Sequence, residues 1–191
     1  MLNKIKMKIG LFFFFWSVSV FAVVWSDYTD EQRLRENILK DYKKHIRPVH
    51  NESESIQVYV SFIPRHILQM DERTQVLTVE GSLVMEWTDQ FLTWKPKNYG
   101  SIKVFHLPDH NLWQPDIFLY NSADVGSNVD PRGDTNVLVS YEGLVKWNPP
   151  VTFKVYCPTS LRSYPFDRHT CNMKLGSWTF NSNKLNVSSL E

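Results

Sequence analysis

From Ile56 onward the apolar positions fall at every second residue. Ile56, Val58, Val60 and Phe62 alternate with polar or smaller neighbours until Pro64 interrupts them. A period of two is that of a half-buried strand, and the proline predicts a bulge or a sheet edge. Val76 to Trp87 repeats the pattern, with Leu77, Val79, Leu83, Met85 and Trp87 on one face and Thr78, Glu80, Ser82, Val84 and Glu86 on the other. Trp87 therefore reads as a core residue. Between these strands Gln69 to Thr74 is a charged turn, where Asp71, Glu72 and Arg73 either pair or stay solvated. Strand-length apolar runs return at Ile102 to Phe105, Val137 to Tyr141 and Leu144 to Trp147, and Glu142-Gly143 predicts a hairpin between the last two. Residues 29–45 have a different period: Leu34, Ile38 and Tyr42 repeat at helical spacing behind Thr29 or Asp30 as N-cap, with acidic residues early and lysines late. Arg47-Pro48 ends that helix. The pattern predicts an all-β sandwich with one N-terminal α-helix, a single domain over 27–191.

The first 26 residues have neither period. Lys4, Lys6 and Lys8 precede an apolar run from Ile9 to Val24 broken only by Gly10, Ser17 and Ser19, and Ser26 offers a small residue for cleavage. Residues 1–26 are expected to be a signal peptide, with a signal anchor as the competing reading. Either way the remainder enters the secretory pathway. No later stretch is apolar for long enough to cross a bilayer, so a membrane association of this chain is expected only through a part it lacks.

A net charge of +1 with 21% charged residues gives no field suited to a polyanion, which excludes nucleic acid as a partner. Aromatic residues make up 14% of the chain, seven of them Trp, enough to fill a β core and leave one or two rings for a binding site. Cys157 and Cys171 are the only cysteines, and in a secreted chain they predict one intrachain disulfide, stabilising by roughly 3 kcal/mol on the chain-entropy model. The loop they close has an apolar tip, Tyr164-Pro165-Phe166, next to Asp167, which is either a docking surface or a hairpin tip folded back on its own domain. Asn51 and Asn186 head N-glycosylation sequons. His106 and His110 are four apart, but Pro108 between them argues against a helical metal site, and no metal or cofactor is expected. Ser163, Asp167 and His169 lie close in sequence without orienting a nucleophile, so the chain is not read as an enzyme.

Thirteen residues between two cysteines, with an aromatic-Pro-Phe-Asp tip, resemble the signature loop of the Cys-loop, or pentameric ligand-gated, ion channels. The motifs around it stand in the order seen in nicotinic acetylcholine receptor subunits. They are Trp87-Thr88-Asp89 with Trp94, Trp113-x-Pro115-Asp116-Ile117 running into Tyr120-Asn121-Ser122-Ala123-Asp124, Thr135-Asn136-Val137-Leu138-Val139, and Gly176-Ser177-Trp178. The resemblance implies the extracellular, immunoglobulin-like ligand-binding domain of a cation-selective channel subunit. Such a subunit binds a quaternary ammonium or amine neurotransmitter, acetylcholine-like, between homologous subunits of a pentamer. Tyr120 and Trp178, which alone would read as core aromatics, become walls of the agonist pocket on the principal face. Leu138, Lys146 and Asn148 become the complementary face, and Tyr164, Pro165, Phe166 and Asp167 the contact that transmits gating.

The chain also departs from the family pattern. Ser82 stands where nicotinic-type subunits carry the tryptophan that walls a neighbour's site. Ser160, Ser163, Tyr164, Arg168 and His169 depart from the usual loop, and Val125 to Asp134 is slightly longer than expected. The lid loop, the last strands of the sandwich and four transmembrane helices, which follow in the family, are missing. The fold is therefore expected to have open sheet edges. The chain is expected either at the extracellular face of a plasma membrane or synapse within a longer subunit, or as a secreted protein that binds or modulates the assembly of full-length subunits.

Overall fold

The computed structural model describes residues 29–124, 134–160, 162–163 and 166–190. The expected signal peptide, the loop at 125–133 and the tip residues Tyr164 and Pro165 lie outside the described residues.

The helix is α1, Asp30–Leu39. Thr29 caps it reciprocally: its hydroxyl accepts from the Gln32 N–H at 3.2 Å, and the Gln32 side chain accepts from the Thr29 N–H at 3.0 Å. Leu34 is its fully buried residue, with Ile38 packing at the margin of the core. The helix stops six residues before the predicted end. Tertiary ties redirect the segment beyond it: the Tyr42 hydroxyl donates to Asp89 at 2.6 Å and accepts the Trp113 N–H at 3.0 Å, and Lys44 donates to the His110 carbonyl at 3.0 Å. Arg47 then holds the carbonyls of Glu52, Glu54 and Lys184.

Among the described residues nine strands follow: β1 (Ile56–Asp71), β2 (Val76–Thr93), β3 (Val104–Pro108), β4 (Ile117–Leu119), β5 (Asn136–Ser140), β6 (Glu142–Trp147), β7 (Pro150–Tyr156), β8 (Leu175–Ser177) and β9 (Leu185–Ser189). The larger sheet runs β3-β5-β6-β2-β1-β9, and β7 joins it through β2. Strand β2 is long enough to serve two partners, β7 along Val76–Ser82 and β6 from Met85. The smaller sheet is β4 with β8. Together they form an all-β, immunoglobulin-like sandwich with an N-terminal helix. The predicted hairpin is present, with Val139 opposite Val145 and Leu138 opposite Lys146. So is the bulge at Pro64, where the β1–β2 register shifts before His66. Asp71 settles its turn by accepting the Arg73 and Thr74 N–H groups. The Thr74 backbone and hydroxyl hold its carboxyl below the usual range.

Between the sheets lie Val58, Val60, Leu83, Met85, Trp87, Val137, Val139, Val145 and Val155 from the large sheet and Ile117 and Leu119 from the small one, all buried. Trp87 meets Trp113 edge to face, centroids 6.0 Å apart, and its indole N–H has no acceptor among the described residues. From Ile63 to Asp71, β1 is hydrogen-bonded to β2 alone, and Ile63, Ile67 and Leu68 are more than half exposed. Among the described residues this part of β1 is a sheet edge.

Asp89 is fully buried at the β2 end that faces α1. Burial pushes its carboxyl from 3.8 up to about 6, against the pull of donors from Tyr42, Phe91 and Leu92. Burial and the adjacent carboxylate raise the Tyr42 hydroxyl, which stays protonated at any working pH. Because Asp89 binds its proton more tightly when folded, its stabilising contribution is complete below pH ~4 and is lost as pH rises through about 6. A shift of two units corresponds to at most about 3 kcal/mol. Denaturation midpoints recorded between pH 4 and 7 should fall with pH more steeply for the wild type than for Asp89→Asn. Parallel profiles would remove Asp89 as the source.

Candidate functional site

Tyr120 and Trp178 stand at the ends of the two strands of the small sheet. Strand β4 runs into Tyr120, β8 runs into Trp178, and the pairing of Ile117 with Ser177 and Leu119 with Leu175 sets their register. Both rings are exposed, Tyr120 by 53% and Trp178 by 65%, with centroids 6.0 Å apart and planes tilted by 37°. Phe118 also packs against Trp178, with centroids 5.5 Å apart and planes tilted by 36°. Two large neighbouring rings left open to solvent offer electron-rich surfaces to a cation. Their exposure sets both rings outside the core.

The local sequence builds this arrangement. Gly176 lies opposite Phe118, and a Cβ there would fall 2.7 Å from the Tyr120 ring, so the glycine gives that ring room to cross β8. The Tyr120 hydroxyl donates to the Ser177 carbonyl. Asp116 grips the turn that carries Trp178: its carboxylate accepts from the hydroxyls of Ser177 and Thr179 and from the Thr179 N–H, the last at 2.7 Å. Its backbone carbonyl accepts the Trp178 N–H at 3.3 Å, and the Ser177 hydroxyl accepts the Phe180 N–H at 3.0 Å. The motif from Trp113 to Ile117 gives no local signal of this long-range role of Asp116. Asn121 is a second such residue. It accepts the Lys174 N–H at 3.0 Å and donates to the Asn172 carbonyl at 2.7 Å, tying the chain after the disulfide to the end of β4. The residues next to Tyr120 were legible as a motif, but the segment they would hold was not.

Of the residues expected on the complementary face, Ser82, Leu138 and Lys146 lie on the large sheet and Asn148 in the link between β6 and β7, whereas Tyr120 and Trp178 follow the strands of the small sheet. Lys146 is exposed and donates to Glu86 at 2.7 Å, Leu138 beside it is half-buried, and Asn148 is exposed. Ser82 is only 3% exposed, between Ile63 and Pro150 on the flanking strands, and presents no surface to a ligand. Cys157 and Cys171 are disulfide-bonded, and the Cys157 N–H is anchored to the Gln75 carbonyl at 2.8 Å. Within the loop Phe166 is 86% exposed. Asp167 accepts the Ser163 N–H at 2.8 Å, an internal brace of the tip.

Asp109, His110 and Asp134 bring possible ligand atoms within 4.8 Å of one another. Asp109 is already committed to Thr135, whose hydroxyl donates to it at 2.8 Å and in turn accepts the Trp147 indole N–H. That network fastens β5 and β6 to the turn before β4, and His106 takes no part in the cluster. Asn51 and Asn186 are both exposed.

Residues 31–191 match the neurotransmitter-gated ion-channel ligand binding domain family. The chain is 35% identical over 172 residues to the neuronal acetylcholine receptor subunit beta-3 of Gallus gallus, covering 90% of this chain and 37% of that protein. It is 32% identical over 174 residues to an acetylcholine receptor subunit alpha-like of Manduca sexta, covering 91% and 33%. With the acetylcholine receptor subunit alpha-type acr-16 of Caenorhabditis elegans it shares 36% over 171 residues, covering 90% and 34%. The chain thus spans little more than a third of the length of these relatives, which are receptor subunits and not enzymes. With the sandwich, the disulfide-closed loop and the paired rings in place, this match shows that the chain belongs to the neurotransmitter-gated ion-channel ligand-binding domain family.

Proposed function

We propose that this chain is the extracellular ligand-binding region of a nicotinic-type, cation-selective channel subunit, and that it supplies the principal face of a site for a quaternary ammonium or amine neurotransmitter, acetylcholine-like. The observation that supports this most directly is the open pair Tyr120 and Trp178, braced by Phe118 and by the Asp116 clamp. A cation seated against both faces is attracted by two ring quadrupoles without needing a buried carboxylate. Homologous subunits complete a pentamer in this account, and binding reaches the membrane helices of the assembled receptor through Tyr164, Pro165, Phe166 and Asp167. Phe166 is exposed as such a contact requires.

The complementary contribution of this chain is weak for a cationic agonist. Ser82 offers no ring and is buried, and the exposed cation of Lys146 stands next to Leu138. The chain is therefore an asymmetric partner, with its rings serving one interface and a complementary subunit of different composition serving that same site. In such an assembly the receptor stands at the extracellular face of the plasma membrane, with residues 1–26 directing entry into the secretory pathway.

Asp116→Ala tests the clamp. It removes a charged acceptor with three donors, at about 2 kcal/mol of stability, and frees the Trp178 turn. Acetylcholine titrated into the purified chain should show affinity lowered about tenfold or more by this change and by Tyr120→Ala, with Tyr120→Phe retaining most of the binding. Unchanged affinity in both alanine variants would contradict the assignment of this site.

A further inference from the structure

Strands β3 and β5 pair antiparallel up to Pro108 opposite Asn136. The same register carried two places further sets Asp109 beside Thr135 and His110 beside Asp134. The Asp109 N–H donates to the Thr135 carbonyl at 3.0 Å, so the two chains stay together there. Ligand atoms of Asp109, His110 and Asp134 thereby fall within 4.8 Å of one another. His110 gains as neighbours two carboxylates that its spacing from His106 gave no reason to expect.

Asp109 is the fixed member of this group. It is 6% exposed, and the Thr135 hydroxyl at 2.8 Å and N–H at 3.4 Å both approach the same oxygen, Oδ2. The other oxygen, Oδ1, stands 3.7 Å from His110 Nδ1. That is too long for a hydrogen bond, and it is close to the separation of about 3.4 Å between two ligands on one tetrahedral zinc ion. His110 and Asp134 are exposed, so their side chains can turn to close the remaining gap. A cleft of about 300 Å³ beside His110, lined also by Lys44, His45, Leu112 and Gln114, gives an ion access to the ring. Lys44 places its ammonium on the His110 carbonyl at 3.0 Å and so engages the backbone, not the imidazole.

We propose that Asp109 Oδ1, the His110 imidazole and Asp134 form a zinc site that ties the turn after β3 to the start of β5, with water completing a tetrahedral shell. One imidazole with two carboxylates is a nitrogen and oxygen set suited to Zn²⁺, whereas calcium prefers a shell of oxygens alone. The two carboxylates balance the charge of the ion. Thr135 holds Oδ2 while Oδ1 binds, the outer support that orients a ligand toward its metal. The site is separate from Tyr120 and Trp178, and its assignment does not depend on what those rings bind.

The test is calorimetric titration of the purified, tag-free 191-residue chain with zinc chloride, together with its denaturant midpoint in the presence and absence of zinc. Saturable binding of one equivalent is expected. His110→Ala and Asp134→Asn, both at exposed positions, should each weaken it at least about tenfold, and His106→Ala, outside the cluster, should leave it unchanged. Zinc should raise the midpoint of the wild type and fail to raise that of His110→Ala at the same concentration. Calcium chloride should bind at least about tenfold more weakly than zinc. No saturable zinc binding, a zinc affinity unchanged in either His110→Ala or Asp134→Asn, or equal affinity for calcium overturns the proposal.

Discussion

Gly143→Ala is expected to destabilise the domain by about 3 kcal/mol, lowering the denaturant midpoint without altering the oxidation of the disulfide. Gly143 sits in the β5–β6 hairpin at φ +86°, where a side chain is strained, and a Cβ would lie 2.4 Å from the Asp89 carbonyl oxygen. That oxygen belongs to backbone and cannot swing aside as a side chain would. The peptide it belongs to also carries the buried carboxylate that holds Tyr42, so relieving the clash by moving β2 would loosen the attachment of α1. Gly143→Asn separates the two causes. Asparagine tolerates positive φ better than alanine, so a strain arising from φ alone would spare it, whereas the steric clash penalises both variants alike. A wild-type midpoint for Gly143→Ala would contradict this description of the hairpin.

Trp178→Ala is expected to cost about thirtyfold in affinity for acetylcholine, corresponding to the ~2 kcal/mol of a desolvated cation–π contact. Stability should change by less than about 1 kcal/mol, because the ring is mostly exposed and, among the described aromatic residues, packs against Phe118 and Tyr120. That division is the opposite of what Trp87→Ala would produce, since Trp87 is buried between the sheets and its loss belongs to the costly large-to-small core changes. Trp178→Phe keeps an aromatic face and should recover part of the lost affinity. A Trp178→Ala protein that binds like the wild type, or one that fails to fold, would place the ring outside the role given to it.

The strands were legible because a period of two survives in any half-buried strand, and Pro64 and Glu142-Gly143 announced the bulge and the hairpin by their backbone chemistry. The length of α1 was not. Helical spacing continues through Tyr42, and only the positions of Asp89 and Trp113, far along the chain, show why the helix gives way before it. The same distinction divides the site. Tyr120 and Trp178 could be named from motifs, yet their exposure and their 6.0 Å spacing follow only from the pairing of β4 with β8. The clamp of Asp116 on Thr179, 63 residues away, has no local signal at all. Ser82 was legible as a missing tryptophan, whereas its burial depends on the two strands that flank it.

The central claim is that these two rings recognise positive charge. Its most direct measurement is a calorimetric titration of the purified chain with choline and, in parallel, with the uncharged isostere in which carbon replaces the quaternary nitrogen. The two ligands match in shape and differ in charge. The account predicts that choline binds at least about tenfold more tightly and that the preference disappears in Trp178→Ala. Equal affinity for the two ligands, or a preference that survives the loss of Trp178, would contradict it.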